Sequence, residues 1–476
     1  MNQSFKTLRQ DSASLSADLL HFIETHPSVF HVIAGQKEEL LEAGYEELAE
    51  SADWKLRKGG RYFVTRSGSA LIAFRIPAGE CRGFMMMASH ADSPTFRIKA
   101  NPEMTVDGTY KKLNVEVYGG ALLHPWFDRP LSAAGRVFVR TPSGVRQQLV
   151  SIDRDLLLIP SLAIHMDREA NKGRELKVQK DLLPLYGLEG DPALLSLIAE
   201  ECGIDEETIL SHDLYLYNRQ KPSVWGASRE FMSAPRLDDL ACAFASLKGF
   251  LAAEKINAGT DAACGSIPVH VVFDNEEVGS LTRQGAESDF LVSTLGRICD
   301  ALNRIGNESS SPAGDAAQEA SPTHAAVPGA SLARMAAESF MLSADNAHSL
   351  HPNYPEKCDP VNHPKMGGGV VLKYSGSQKY ATDAASAAVA KWLAARADVS
   401  LQEFTNHSDI PGGSTLGNIA MNHLGIRTAD IGMAQLAMHS PYETASVRDL
   451  GDLTALAAAL YASSLTEEKD GEISLD

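Results

Sequence analysis

The chain has 476 residues, 44% of them hydrophobic and 22% charged, and a net charge of −18 at pH 7. That composition excludes wholesale disorder, and the acidity argues against nucleic acid or an anionic membrane as partner, since both are met by basic patches. An acidic ligand would need a local basic group, and the length is enough for a large core in more than one domain.

The opening, MNQSFKTLRQDSASLS, has no apolar run of the signal-peptide kind, and no stretch of 18 apolar residues follows anywhere. The cysteines, Cys81, Cys202, Cys242, Cys264, Cys299 and Cys358, form no C-x-x-C pair. Reduced thiols in a cytoplasmic protein are the expectation.

Residues 15–50 read as two helices. Leu19, Leu20, Phe22 and Ile23 share a face of the first, Pro27 ends it, and residues 38–48 supply an acidic second one. Residues 62–76 read as a hairpin around Arg66-Ser67-Gly68-Ser69. The run GFMMMA at 83–88 is a buried strand ending in Ser89-His90-Ala91-Asp92. Residues 94–232 change texture. Short alternating segments such as 113–118 and 135–140 are separated by Gly and Pro, with short helices at 194–202 and 206–210. A β-rich module set inside a larger α/β domain is expected, with residues 1–93 and 233–476 forming the outer domain.

The outer texture returns at Pro235-Arg236-Leu237-Asp238-Asp239, followed by a helix over 241–254. The stretch 267–280, IPVHVVFDNEEVGS, is a β-branched strand that stops at two turn formers and delivers Glu276 and Glu277. A helix over 288–303, a loop over 306–329, strands at 339–343, 370–374 and 426–432, a helix over 384–395 and a closing helix over 447–464 complete the reading.

Open α/β sheets bind ligands just beyond the carboxyl ends of their strands. Here those ends carry His90, Glu276 with Glu277, Asp345 and His439, while Asp238 sits at a loop-to-helix junction. Singly, each has a plain structural explanation: a solvated helix start for the glutamates, an N-cap for Asp238, a satisfied polar group for each histidine. Together they supply two imidazoles and three carboxylates with one acid left over. Such a set suits two first-row metal ions, with Glu276 as general base and Asp92 orienting the His90 imidazole.

The motifs HADS at 90–93, RLDDL at 236–240, DNEEVGS at 274–280, SADNAHSLHPNY at 343–354 and MHS at 438–440 resemble the aspartyl aminopeptidases, the M18 zinc aminopeptidase family. The resemblance runs in order over essentially the whole chain. It implies a zinc-exopeptidase-like mixed sheet flanked by helices, with the β-rich insert serving dimerisation and as a lid. It implies two Zn²⁺ ions per subunit, and the carboxylate-rich set would also accept Mn²⁺ or Co²⁺. His90 and Asp345 would hold one ion, Glu277 and His439 the other, and Asp238 would bridge them ahead of a cis peptide to Asp239. Glu276 would take the proton from a bridging water, whose hydroxide attacks the peptide. His348 and His351 would lie on the substrate side, and His165 would reach a neighbouring subunit's site. The implied enzyme removes N-terminal residues from peptides as a homo-oligomer, a tetrahedral dodecamer built from dimers. The rivals are a deacylase of N-acyl amino acids and an inactive scaffold; the early position of the insert and the complete ligand set disfavour them. One position departs from the pattern. Gly368 stands where eukaryotic members carry a lysine that helps recognise an acidic side chain, and Lys365 is nearby. A weak preference for acidic residues is the expectation.

Overall fold

The structure, a computed structural model, describes residues 2–257, 265–310, 331–469 and 471–476. In chain order its strands begin with β1 (Glu46–Leu48), β2 (Arg61–Arg66), β3 (Ala70–Arg75) and β4 (Gly83–His90). Then come β5 (Thr95–Val106), β6 (Tyr110–Tyr118), β7 (Leu131–Thr141), β8 (Gly144–Ser151), β9 (Leu185–Leu188) and β10 (Ile209–Asn218). After β11 (Ser223–Trp225) and β12 (Phe231–Ala234) follow β13 (Ser266–Phe273), β14 (Phe340–Ala344), β15 (Ala347–His348), β16 (Val370–Tyr374) and β17 (Leu401–Thr405). Last of those needed here are β18 (Arg427–Gly432), β19 (Ala434–Leu436) and β20 (Glu443–Ser446).

A nine-stranded mixed sheet, ordered β1-β2-β3-β13-β4-β14-β18-β16-β17, is the frame. Strand β4 is buried along its whole length, and its side chains alternate between two cores. Met85 and Met87 join the core under the helices Leu237–Asn257 and Val447–Tyr461; Phe84, Met86 and Ala88 join the one under Phe290–Ser310. This explains why its sequence is a continuous apolar run rather than an alternating one. Strands β5 to β10 make a separate six-stranded sheet with its own core around Phe96, Val115, Val137 and Leu214. Strand β11 pairs with β12 and β12 with β20, beside β19 and β15, in a small five-stranded sheet.

Three expectations change. The second helix is Val29–Glu42 rather than 38–48, and Glu46–Leu48 is a strand parallel to Tyr62–Val64. Gly44, at φ +82°, turns the chain out of the helix, and Tyr45 N–H closes the end on Leu40 O at 2.9 Å. Residues 206–208 form a single 3₁₀ turn capped by the Asp205 carboxylate, because Ile209 already enters β10. The helix expected over 288–303 is Phe290–Ser310. Of the loop read over 306–329, residues 311–329 lie outside the described residues. Among the described residues, Cys202, Cys242, Cys299 and Cys358 are free thiols, and no helix is long and apolar enough to cross a membrane.

Candidate metal centre

Strands β13, β4, β14 and β18 are neighbours and mutually parallel, so their carboxyl ends open on one edge of the sheet. His90 is the last residue of β4, and Asp345 directly follows β14. Glu276 and Glu277 occupy a 3₁₀ turn after β13 that is bracketed by Asn275 at φ +62° and Gly279 at φ +96°. His439 follows β18 by way of β19 and sits at φ +67°. Asp238 opens the helix Leu237–Asn257 with non-helical dihedrals, and the Asp238–Asp239 peptide is cis.

The two oxygens of Asp238 face different histidines. Oδ1 lies 3.7 Å from His90 Nε2, and Oδ2 lies 3.6 Å from His439 Nε2. His439 Nε2 is also 3.4 Å from Glu277 Oε2. Ligand atoms of His90, Asp238, Asp239 and Asp345 fall within 4.8 Å of one another, as do those of Asp238, Glu277 and His439. The buried oxygens Asp238 Oδ1, Asp239 Oδ1 and Glu277 Oε1 have no hydrogen-bond partner. Buried carboxylate oxygens left unpaired are costly, and a divalent cation is the partner this donor set fits. Burial, reinforced by Asp345, Glu277 and Glu443, raises the Asp238 pKa well above the usual range. Burial does the same to Glu277 and pushes Glu276 up to about 7.

Asp92 lies behind this set. His90 Nδ1 is 3.0 Å from its backbone oxygen and 3.3 Å from its carboxylate. The same carboxylate accepts the N–H groups of Glu276 at 3.1 Å and Glu277 at 3.2 Å. Asp239 Oδ2 accepts from His90 N–H at 3.3 Å.

Sequence reading missed several supporting groups. Lys373, fully enclosed on β16, donates to Asp345 O at 2.8 Å, with its ammonium 3.7 Å from Asp345 Oδ2. A lysine inside the apolar strand VVLKY was the signal for it. Glu443, four residues past His439, and Tyr118, at the end of β6, are the others; neither carries a local sequence mark.

Of the remaining expected residues, His348 ends β15 with its ring edge-on to Phe404 at 6.3 Å. His351 lies three residues on, tilted against Tyr354 at 5.0 Å. His165 is exposed in a turn of the six-stranded-sheet region and joins none of the clusters above. The apolar segment leading to it is packed only at its start: Ile159 is buried, whereas Leu162 and Ile164 are exposed.

The family model of the aminopeptidase I zinc metalloproteases (M18) matches residues 22–461. A probable M18 family aminopeptidase 2 of Clostridium novyi is 43% identical over 441 residues, which is 91% of this chain and 95% of that one. The solved structure of the Ape4 and Nbr1 complex superposes with a TM-score of 0.85 at 33% identity, covering 95% of this chain and 86% of that one. The S. cerevesiae mApe1 dodecamer gives a TM-score of 0.78 at 26% identity, covering 93% and 95%. An edge that gathers two histidines and several unpaired carboxylates, on a chain matched over nearly its whole length, identifies this protein as a member of the M18 zinc metallopeptidase family of aminopeptidases.

Proposed function

We propose that the chain is a dinuclear-metal aminopeptidase that removes N-terminal residues from peptides. The observation that carries this reading is the divided carboxylate of Asp238, one oxygen toward His90 and the other toward His439. His90 and Asp345 would hold one Zn²⁺, Glu277 and His439 the other, and Asp238 would bridge them. When bound, the ions would acidify a shared water and polarise the scissile carbonyl.

The chain's own groups do the rest. Glu276 receives the proton of the attacking water and returns it to the leaving amine. Asp92 orients the His90 imidazole through Nδ1, and Asp239 holds the His90 backbone N–H. His348 and His351 line the substrate side. His165, exposed on its own subunit, would serve a neighbour's site by hydrogen-bonding the oxyanion. Residues 94–232 would then form an inserted oligomerisation and lid domain, and residues 1–93 with 233–476 the catalytic one. A tetrahedral dodecamer built from dimers, in the cytoplasm, is the matching assembly, in keeping with the dodecamer named for the mApe1 neighbour.

Metal analysis of the purified protein, paired with hydrolysis of free-amine and N-acylated substrates, tests the reading. Two ions per chain and cleavage of the free amines alone are expected. Preference for N-acylated substrates would favour the deacylase instead.

A further inference from the structure

Residues 118–120 leave the end of β6, and each meets the metal centre from outside. Tyr118 Oη donates to Asp92 Oδ2 at 2.7 Å and accepts from Asn275 Nδ2 at 2.8 Å. Gly119 sits at φ +75°, and a Cβ there would come 3.1 Å from Glu277 Cβ. Gly120 O is 3.0 Å from His439 Nδ1, and Leu122 N–H donates to His439 O at 3.0 Å.

These contacts have defined chemical consequences. A carbonyl oxygen carries no proton, so Gly120 obliges His439 to bear its proton on Nδ1. The lone pair is then on Nε2, the nitrogen that faces Asp238 and Glu277. Tyr118 occupies one lone pair of the carboxylate that also gathers the Glu276 and Glu277 amides. Its ring is braced edge-on by Tyr215 of β10 at 5.5 Å. One short segment thus touches both histidine halves of the centre, and it belongs to a sheet whose core is separate from that of the main sheet.

We propose that the 118–120 segment is a positioning strap through which the six-stranded sheet sets the metal affinity of the centre. The proposal rests on the metallopeptidase reading above. Movement of that sheet would loosen Asp92, Glu277 and His439 together, so metal retention would depend on how the sheet is seated. Tyr118 is a positioning residue here and touches neither substrate nor metal.

Chelator-competition titration of the full-length protein with Zn²⁺ tests this on the wild type, Tyr118→Phe and Gly119→Ala. For Tyr118→Phe the zinc dissociation constant should rise about 10- to 100-fold, the usual cost of losing a group behind a metal ligand. The zinc-induced rise in Tm should shrink, the Tm of the metal-stripped protein should stay near wild type, and the visible spectrum of the Co²⁺-loaded protein should shift. Gly119→Ala keeps the hydroxyl but crowds Glu277, and it should weaken zinc in the same direction; it carries the test if Tyr118→Phe does not fold. Wild-type zinc affinity in a folded variant overturns the proposal, including where its metal-stripped Tm has fallen, since that is the mark of a packing residue. A wild type that binds no zinc is a different result: it removes the metallopeptidase reading itself.

Discussion

His439 N–H donates to Glu443 Oε1 at 2.7 Å. The other oxygen of the same carboxylate accepts Asp238 N–H at 2.9 Å. One buried side chain therefore sets the backbone of two residues that face each other across the centre. Burial pushes the Glu443 pKa up to about 8 despite these donors. Glu443→Ala would leave two N–H groups without their acceptor, at about 1–3 kcal/mol each. Lower Tm and reduced metal content are expected, with Glu443→Gln less affected because it keeps one acceptor oxygen. Wild-type values for both measurements in Glu443→Ala would contradict this.

Glu276 and Asp238 should separate chemistry from binding. Glu276→Gln should lose roughly a hundredfold or more in kcat while keeping its metal, since a base is removed and the proposed ligands remain. Asp238→Asn should lower occupancy of both ions together, whereas His439→Ala should weaken one more than the other. Parallel kcat and metal analysis decides it. A Glu276→Gln enzyme within about tenfold of wild type would end the base assignment.

His165 should act across a subunit boundary. His165→Ala and Glu276→Gln proteins should each be nearly inactive alone, and mixed oligomers should regain turnover at sites that combine the two intact groups. Mixed oligomers as inactive as their parents would place His165 in its own subunit's service.

Selectivity for acidic N-termini should be modest. A Cβ on Gly368 would clash with the Gln402 carboxamide, which is fixed by hydrogen bonds to Lys365 N and O at 2.8 and 2.9 Å. A longer side chain at this position has no room unless Gln402 moves. The ratio of kcat/KM for Asp or Glu over Leu should stay below about a hundredfold, or roughly 2.7 kcal/mol. A larger ratio would mean that another cation, such as Lys365, reaches the substrate.

His270 should make stability fall in acid. Its ring lies between Ser246 Oγ at 2.7 Å and Gln36 Oε1 at 3.2 Å, and burial lowers its pKa to about 3. Between that value and the ordinary 6.5 the unfolded chain binds a proton that the folded one refuses. The contribution is complete above pH 6.5 and is lost as pH falls toward 3, with a slope approaching about 1.4 kcal/mol per pH unit. Denaturant melts of His270→Gln should show a shallower acid loss than wild type. Equal slopes would assign the acid sensitivity to other groups.

The sequence by itself determined the inventory of this protein. A β-branched strand ending in Asp274-Asn275 announces where a chain turns, so Glu276 and Glu277 could be placed at a strand's mouth without coordinates. The unbroken run GFMMMA likewise announced a strand covered on both faces, and His90 at its end. Local backbone preference and burial pattern write such features into a few adjacent residues. They did not resolve residues 38–48, where helix-compatible side chains run past the turn at Gly44 and pairing with β2 overrides propensity. Nor could they supply partnership at a distance. That β13, β4, β14 and β18 lie side by side, that both oxygens of Asp238 are left facing histidines, and that Gly120 meets a ring 319 positions away were decided only by tertiary structure. The last contact is made by a backbone carbonyl, which every residue type carries, so no choice of side chain could have announced it.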